Sequence, residues 1–394
     1  MFRYDAVIVG AGFAGAVTAR CLAEAGWQVL ILEQREHIGG NAYDKTDEAG
    51  ILVQLYGPHI YHTKEEEVHR FLSRFTKWHD YRHEVVANIH GKLIPVPFNL
   101  NTLELVYGKE EAAVLEKKLV DAFGYGTKVP ILKLREHPEP AIREIADYVY
   151  ENIFLRYTMK QWGQTPEEID PAVTGRVPVV LSRDNRYFAD TWQGMPEHGF
   201  TALFEKMLSH ENITIRLGCR AQEVLTLSGE GGIRVRQEGL EEEYTGIVVY
   251  TGPVDELFDY RFGHLPYRTL NFVWERYNQT EYQTHAVVNY TVEEEYTRIT
   301  EFKKFYDGAE AFPQTTVIKE YPGAYEPGKG QIPYYAIINE ENNRQYERYQ
   351  TLAGRYPGLF LLGRLAEYKY YNMDAITKRA LELSKSLIRK EAEK

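Results

Sequence analysis

Along the first 35 residues, apolar positions fall into two compact runs separated by a segment of different period. "YDAVIVG" ends in an apolar run too short for a helix and is predicted as a buried strand. "AVTARCLAEAG" repeats its apolar residues at helical spacing and is closed by Gly26, and "QVLILE" predicts a second strand. Residues 64–80 and 138–162 also carry helical periodicity, which puts His79 and His83 on a solvated helix face. "HEVVANIHGKLIPVPFNL" reads as a hairpin turning at His90 and Gly91, and "EVLTLSGEGGIRVRQEG" as another turning between Gly229 and Gly232. Residues 266–338 alternate as strands, in "YRTLNFVWE", "AVVNYTV", "YTRITEFKKF" and "PYYAII". "GIVVYTGP" (246–253) is a buried-type strand, and residues 358–387 read as a strand, a glycine turn and a helix.

Between the first strand and its helix stand Gly10, Gly12 and Gly15, in G-x-G-x-x-G spacing. Gly10 permits the tight turn, Gly12 lets a phosphate reach the backbone, and Gly15 lets helix pack on strand. A pyrophosphate then meets free N–H groups at the positive helix end. Glu33 closes the second strand, where a carboxylate accepts from ribose hydroxyls. Immediately beyond comes "REHIGGNAYD", whose Gly39 and Gly40 form a second glycine pair. A nicotinamide enzyme needs no such loop here, whereas the larger FAD can use a second set of backbone donors. A second G-x-G-x-x-G is absent. The expected cofactor is therefore FAD, and the expected fold is α/β: a Rossmann-like parallel sheet with a helical insert and an antiparallel β-sheet substrate domain. The expected boundaries are 1–80, 199–255 and 350–394 for the FAD domain, 99–175 for the helical domain, and 81–98, 176–198 and 256–349 for the sheet domain.

With 394 residues, 44% of them apolar, the chain can bury a sizeable core in two or three domains. A net charge of −11 disfavours nucleic acid and anionic membrane as partners. Against that field, arginines inside apolar stretches stand out: Arg176 in "TGRVPVV" and Arg298 in "YTRITE" each suit either a carboxylate or a diphosphate. Cys21 and Cys219 are solitary, which fits a reducing compartment, and the expected location is cytoplasmic. His59 and His62, three apart in "YGPHIYHT", lack a third partner for zinc. Tyr157 and Trp162 in "LRYTMKQWG" fit a core cap as well as a ligand platform.

The segments "GAGFAGAV", "HIGGNAYD", "YGPHIYHT", "YTMKQWG", "RVPV", "YFADTWQGMP", "YRTL", "YTRITE", "IPYYAI" and "GRLAEYKYYNMD" occur in one order over nearly the whole length. In them the chain resembles the bacterial UDP-galactopyranose mutases. That resemblance implies a flavoenzyme interconverting UDP-galactopyranose and UDP-galactofuranose through a covalent N5 adduct of reduced FAD. It also implies a homodimer, NADH or NADPH as reductant, and a lid around 165–190. Arg176 and Arg298 would clamp the diphosphate, ringed by Tyr187, Tyr335 and Tyr370. Tyr157 would stack on uracil, and Trp162, Phe154, Arg268 and Asn289 would complete the substrate site. His59 and His62 would lie beside the isoalloxazine, with His62 sensitive to flavin redox state. Gly10, Gly12, Phe13, Gly15, Glu33, Gln34, Gly40, Asn41, Arg364 and Met373 would hold the cofactor. Departures at Asn372, His83, Ile153 and Arg186 cluster at the sugar and nucleotide ends. They leave UDP-N-acetylgalactose, dTDP-fucose or GDP-heptose as alternative substrates, with Arg186 reading an added feature of base or sugar. An oxidoreductase on this scaffold, or a binding module that makes no use of flavin, are the competing classes.

Overall fold

The computed structural model describes residues 3–163, 178–228, 231–237 and 240–393. The first apolar run, Ala6–Val9, is the middle strand of a five-stranded sheet in the order Ile213–Arg216, Val29–Leu32, Ala6–Val9, Ile247–Tyr250, Leu359–Leu361. Every pairing in it is parallel. A parallel sheet is covered on both faces, which explains the unbroken apolar runs; all four residues of Val29–Leu32 are buried. The helices Phe13–Glu24 and Met373–Ala392 pack against one another beside it.

A second sheet has seven strands, ordered Tyr335–Ala336, Tyr267–Tyr277, Thr315–Ala324, Arg298–Glu301, Val287–Tyr290, Val85–Ile89, Lys92–Val96. It is mixed: Val287–Tyr290 runs parallel to Val85–Ile89 while the other pairings are antiparallel. The parallel junction arises where strands from distant parts of the chain meet, since no hairpin joins them. The predicted first hairpin closes Ile89 on Lys92, with positive φ at His90 (49°) and Gly91 (85°), the mirror-turn geometry that suits strand twist. The second pairs Leu227 with Ile233, its turn lying partly outside the described residues.

The longer helices between residues 99 and 163 are Leu100–Tyr107, Lys109–Phe123, Pro140–Val149 and Arg156–Trp162. Asn99 and Thr102 form a reciprocal capping box at the first, and Pro140 opens the third. Leu119, Ile142 and Ile145 are at most 1% exposed, each burial contributing roughly 1.5–3 kcal/mol. Between the last two helices, Tyr150–Leu155 forms a π-helical turn. The predicted helix over 64–80 is shorter, Glu66–Leu72. Trp78 and His79 instead form a strand paired with Met195 and Pro196, and His83 is buried at 4% exposure, so neither histidine lies on a solvated helix face. Pairing with a distant strand outweighed the local helical period. Among the described residues no helix is long and apolar enough to cross a membrane.

Candidate active site

Two glycine loops meet at the carboxyl end of the first strand. Gly10 has φ +98°, and a Cβ on Gly15 would lie 1.9 Å from the Gly10 carbonyl oxygen, so the helix approaches as closely as backbone allows. A Cβ on Gly12 would meet Gly40 Cα at 3.7 Å, and the Gly39 N–H donates to the Ala11 carbonyl at 2.9 Å, tying the loops together. The helix beginning at Phe13 has no side-chain cap, leaving its first-turn N–H groups for an anion. The Phe13 ring itself packs into the core, 4.8 Å from Phe204. Glu33, 5% exposed, accepts from the Ala11 N–H (2.8 Å) and the Arg35 N–H (2.9 Å). Gln34 beside it is exposed.

Sequence reasoning passed over Arg35, which follows directly in "EQREHIGG". Its guanidinium lies 4.3 Å over the Tyr56 ring and donates to Asn41 Oδ1 at 2.8 Å. Its Nη1 is buried with no partner among the described residues. A buried, unpartnered guanidinium nitrogen next to the second glycine loop fits the phosphates of a dinucleotide. From the other side, a Cβ added to Gly363 (φ +109°) would lie 3.6 Å from Ala14 Cβ and 3.8 Å from Thr251 Cβ, and Met373 opens a second helix whose N-cap, Asn372, makes no side-chain capping bond.

The other half of the cleft is one row of the seven-stranded sheet. Asn289 pairs with Arg298, Arg298 with Glu320, and Glu320 with Phe272, so these side chains share a face. Arg298 Nε lies 3.3 Å from Glu320 Oε2, and its Nη2 donates to the Tyr157 hydroxyl at 3.1 Å. Burial opposes the Arg298 charge, but Glu320 and the hydroxyls of Tyr157, Tyr335 and Tyr187 hold its pKa above the usual range. Burial in turn pushes the Glu320 carboxyl up, and Arg298 pulls it back. Asn289 Oδ1, Arg298 Nε, Glu320 Oε1 and the Tyr334 hydroxyl are all buried without a hydrogen-bond partner among the described residues. Four such atoms on one floor mark a place built for a polar ligand. Glu320 was missed in the sequence because only strand register across the sheet sets it opposite Arg298.

Around this floor stand aromatic rings. Trp162 lies 5.7 Å from Tyr335, which stacks on Tyr370 at 6.1 Å, and Arg364 lies 4.6 Å over Tyr370. The Arg364 Nε donates to the Tyr371 carbonyl at 2.6 Å. Tyr187 is 39% exposed, its N–H donating to the His83 carbonyl at 2.7 Å. Phe154, 2% exposed, sits inside the π-helical turn against Tyr150. Arg268 is turned to its own chain: its Nε and Nη2 donate to the carbonyls of Gln161 (3.0 Å) and Lys160 (2.9 Å), the end of the helix that carries Tyr157 and Trp162. Arg186 grips Asp184, two residues back, at 2.6–3.0 Å, so it has a local partner in place of the base or sugar. Arg176 lies outside the described residues, as does part of the expected lid.

Between the two halves lie the histidines. His59 is half-buried, its N–H donating to Gln54 Oε1 and its Nδ1 lying 3.0 Å from the Gly57 carbonyl. That carbonyl fixes the proton on Nδ1 and leaves Nε2 a bare acceptor. Burial, helped by Arg364, lowers the His59 pKa to about 4. His62 stacks on Phe188 at 3.6 Å, with Nδ1 2.6 Å from Asp190 Oδ2. His83 is lowered to about 3 by burial and then by Arg298.

A sequence model of the UDP-galactopyranose mutases matches residues 152–370, and one for NAD(P)-binding Rossmann-like domains matches residues 8–75. The UDP-galactopyranose mutase of Mycoplasma pneumoniae is 34% identical over 98% of this chain and 96% of its own. A probable UDP-galactopyranose mutase of Klebsiella pneumoniae is 36% identical, over 97% and 94%. The dTDP-fucopyranose mutase of Escherichia coli is 34% identical, over 98% and 99%. The crystal structure of a reduced UDP-galactopyranose mutase shares the fold, with a TM-score of 0.70 at 15% identity over 98% of this chain and 95% of that one. With a family model over more than half of the chain and relatives 34–36% identical over nearly the whole length, the chain belongs to the UDP-galactopyranose mutase family.

Proposed function

We propose that the protein interconverts UDP-galactopyranose and UDP-galactofuranose, using FAD in its reduced state. The carrying observation is the floor of unsatisfied polar atoms around Arg298, which matches an anionic, hydroxyl-rich ligand. In this reading the backbone at Gly10, Gly12, Gly15 and Gly40, with Glu33, Arg35, Asn41 and the helix opening at Met373, holds the dinucleotide. Reduced FAD supplies an electron-rich N5 nitrogen as nucleophile toward the anomeric carbon. Arg298, joined by Arg176, neutralises the diphosphate as it departs and keeps it close for return. Its pairing with Glu320 and Tyr157 fixes the guanidinium before substrate arrives, so no reorganisation is needed as charge develops. Tyr187, Tyr335 and Tyr370 donate around the diphosphate, Tyr157 and Trp162 cover the nucleotide, and neutral His59 offers an acceptor beside the flavin. Arg268 acts by positioning the helix of Tyr157 and Trp162. We read the protein as a cytoplasmic homodimer, kept reduced by NADH or NADPH.

The test is to reduce the flavoprotein with dithionite and supply UDP-galactofuranose and dTDP-fucofuranose separately, resolving ring isomers by chromatography. Many turnovers per reduced flavin are expected with the UDP sugar. Faster conversion of the dTDP sugar would instead support the second reading, which the Escherichia coli relative favours. Formation of no ring isomer, or consumption of one acceptor per turnover, would reject the mutase reading.

A further inference from the structure

Away from this cleft, the helix Glu340–Ala353 and the loop 258–264 border a second hollow of about 500 Å3, whose charge runs against the rest of the chain. The protein carries a net charge of −11, yet Arg261, Arg344, Arg348 and Arg355 all line this hollow, with Glu347 its one lining carboxylate. Arg344, Arg348 and Arg355 follow one another at helical spacing, the last just past the helix end. Arg344 pairs with Glu340 one turn back. Arg261, Arg348 and Arg355 make no ion pair among the described residues. The Arg348 guanidinium carbon lies 4.2 Å from the centroid of the Phe262 ring.

The loop that presents Arg261 is fastened rather than loose. The Tyr349 hydroxyl accepts from the Phe262 N–H (2.9 Å) and donates to the Gly263 carbonyl (2.6 Å). Gln345 Nε2 donates to the carbonyls of Phe262 (3.0 Å) and His264 (3.1 Å). Immediately before Arg261, Asp259 and Tyr260 both adopt left-handed backbone, at φ 50° and 53°, which side-chain-bearing residues rarely do. The fold therefore keeps a strained turn in place, and the next residue, Arg261, lines the hollow with the helix arginines.

We propose that this hollow is a second binding site, for an anion bearing two or more phosphates. Unpaired planar forks match phosphate oxygens in pairs, and all four cations are arginines, with no lysine among the lining residues. Titration calorimetry with inorganic pyrophosphate on the intact flavoprotein and on Arg261→Gln/Arg348→Gln tests it. The difference between the two isotherms isolates this hollow whatever binds elsewhere. One site per chain is expected to weaken at least tenfold in the variant, while nucleotide-sugar turnover stays within twofold. Arg355→Gln alone, with the loop untouched, is expected to weaken the same site more mildly. Co-sedimentation with vesicles of cardiolipin, whose headgroup carries two phosphates, separates the sources: binding by the wild type, lost in the double variant, keeps the phosphate chemistry and assigns it to a lipid headgroup. Identical isotherms and no vesicle binding would overturn the proposal.

Discussion

Glu320 and Arg298 stand opposite one another on adjacent strands, 3.3 Å apart, with the carboxylate side chain 2% exposed. Truncating the arginine therefore does two things at once. Arg298→Ala is expected to lower kcat/KM by about 10²–10³, the usual cost of removing one charge-stabilising donor. It also strands a buried carboxylate, which destabilises by about 3–5 kcal/mol. The two effects separate in Arg298→Met combined with Glu320→Leu, which leaves no buried charge. That double variant is expected to regain most of the lost melting temperature and none of the turnover. Full activity in either protein would remove Arg298 from the clamp. The arginine was legible in the sequence as a cation inside an apolar strand; its partner was not, because strand register across the sheet decides which residue faces it.

At the scale of elements, the glycine cradle makes a sharper distinction than the motif does. Gly12 has φ −80°, and an added Cβ would find no atom nearer than Gly40 Cα at 3.7 Å. Gly12→Ala should fold normally, even gaining about 0.4–1 kcal/mol from a stiffer unfolded chain, yet bind flavin poorly because the methyl fills the phosphate approach. Gly15→Ala, whose methyl would lie 1.9 Å from the Gly10 oxygen, should fail to fold instead. Absorbance at 450 nm alongside thermal melts distinguishes the two outcomes; equal flavin content in Gly12→Ala would contradict the cradle. The helix Arg156–Trp162 is held in a similar division of labour. Lys160 Nζ donates to the Tyr290 (2.6 Å) and Glu294 (2.9 Å) carbonyls while Arg268 caps the helix end. Arg268→Met should raise KM for the nucleotide sugar about ten- to a hundredfold, in line with about 1.5–3 kcal/mol for a charged hydrogen bond, with kcat less affected. An unchanged KM would mean the helix needs no such tether.

For the whole molecule, His59 and His83 couple stability to pH. Their folded-state values, about 4 and about 3, lie below the ordinary histidine value of 6.5. Between these values the unfolded chain binds more protons than the folded one, so stability is full above pH 6.5 and is lost as pH falls. Each histidine contributes up to about 1.4 kcal/mol per pH unit, ending near pH 4 for His59 and near pH 3 for His83. Urea unfolding at pH 7.5, 6 and 5 should show this slope, and His83→Asn should make it shallower. Parallel curves for the two proteins would refute a neutral buried His83.

The sequence by itself determined the dinucleotide-binding start, the two hairpins and the helical insert. Each is a local matter, of apolar period, turn residues and glycine spacing within some 30 positions. Its order of motifs also carried the family. Only the tertiary structure decided that His79 and His83 leave the helix, that Arg268 holds a helix end, and that Glu320 faces Arg298. Those outcomes depend on which distant segments pair and in what register, and a one-residue slip in a strand turns every side chain to the opposite face.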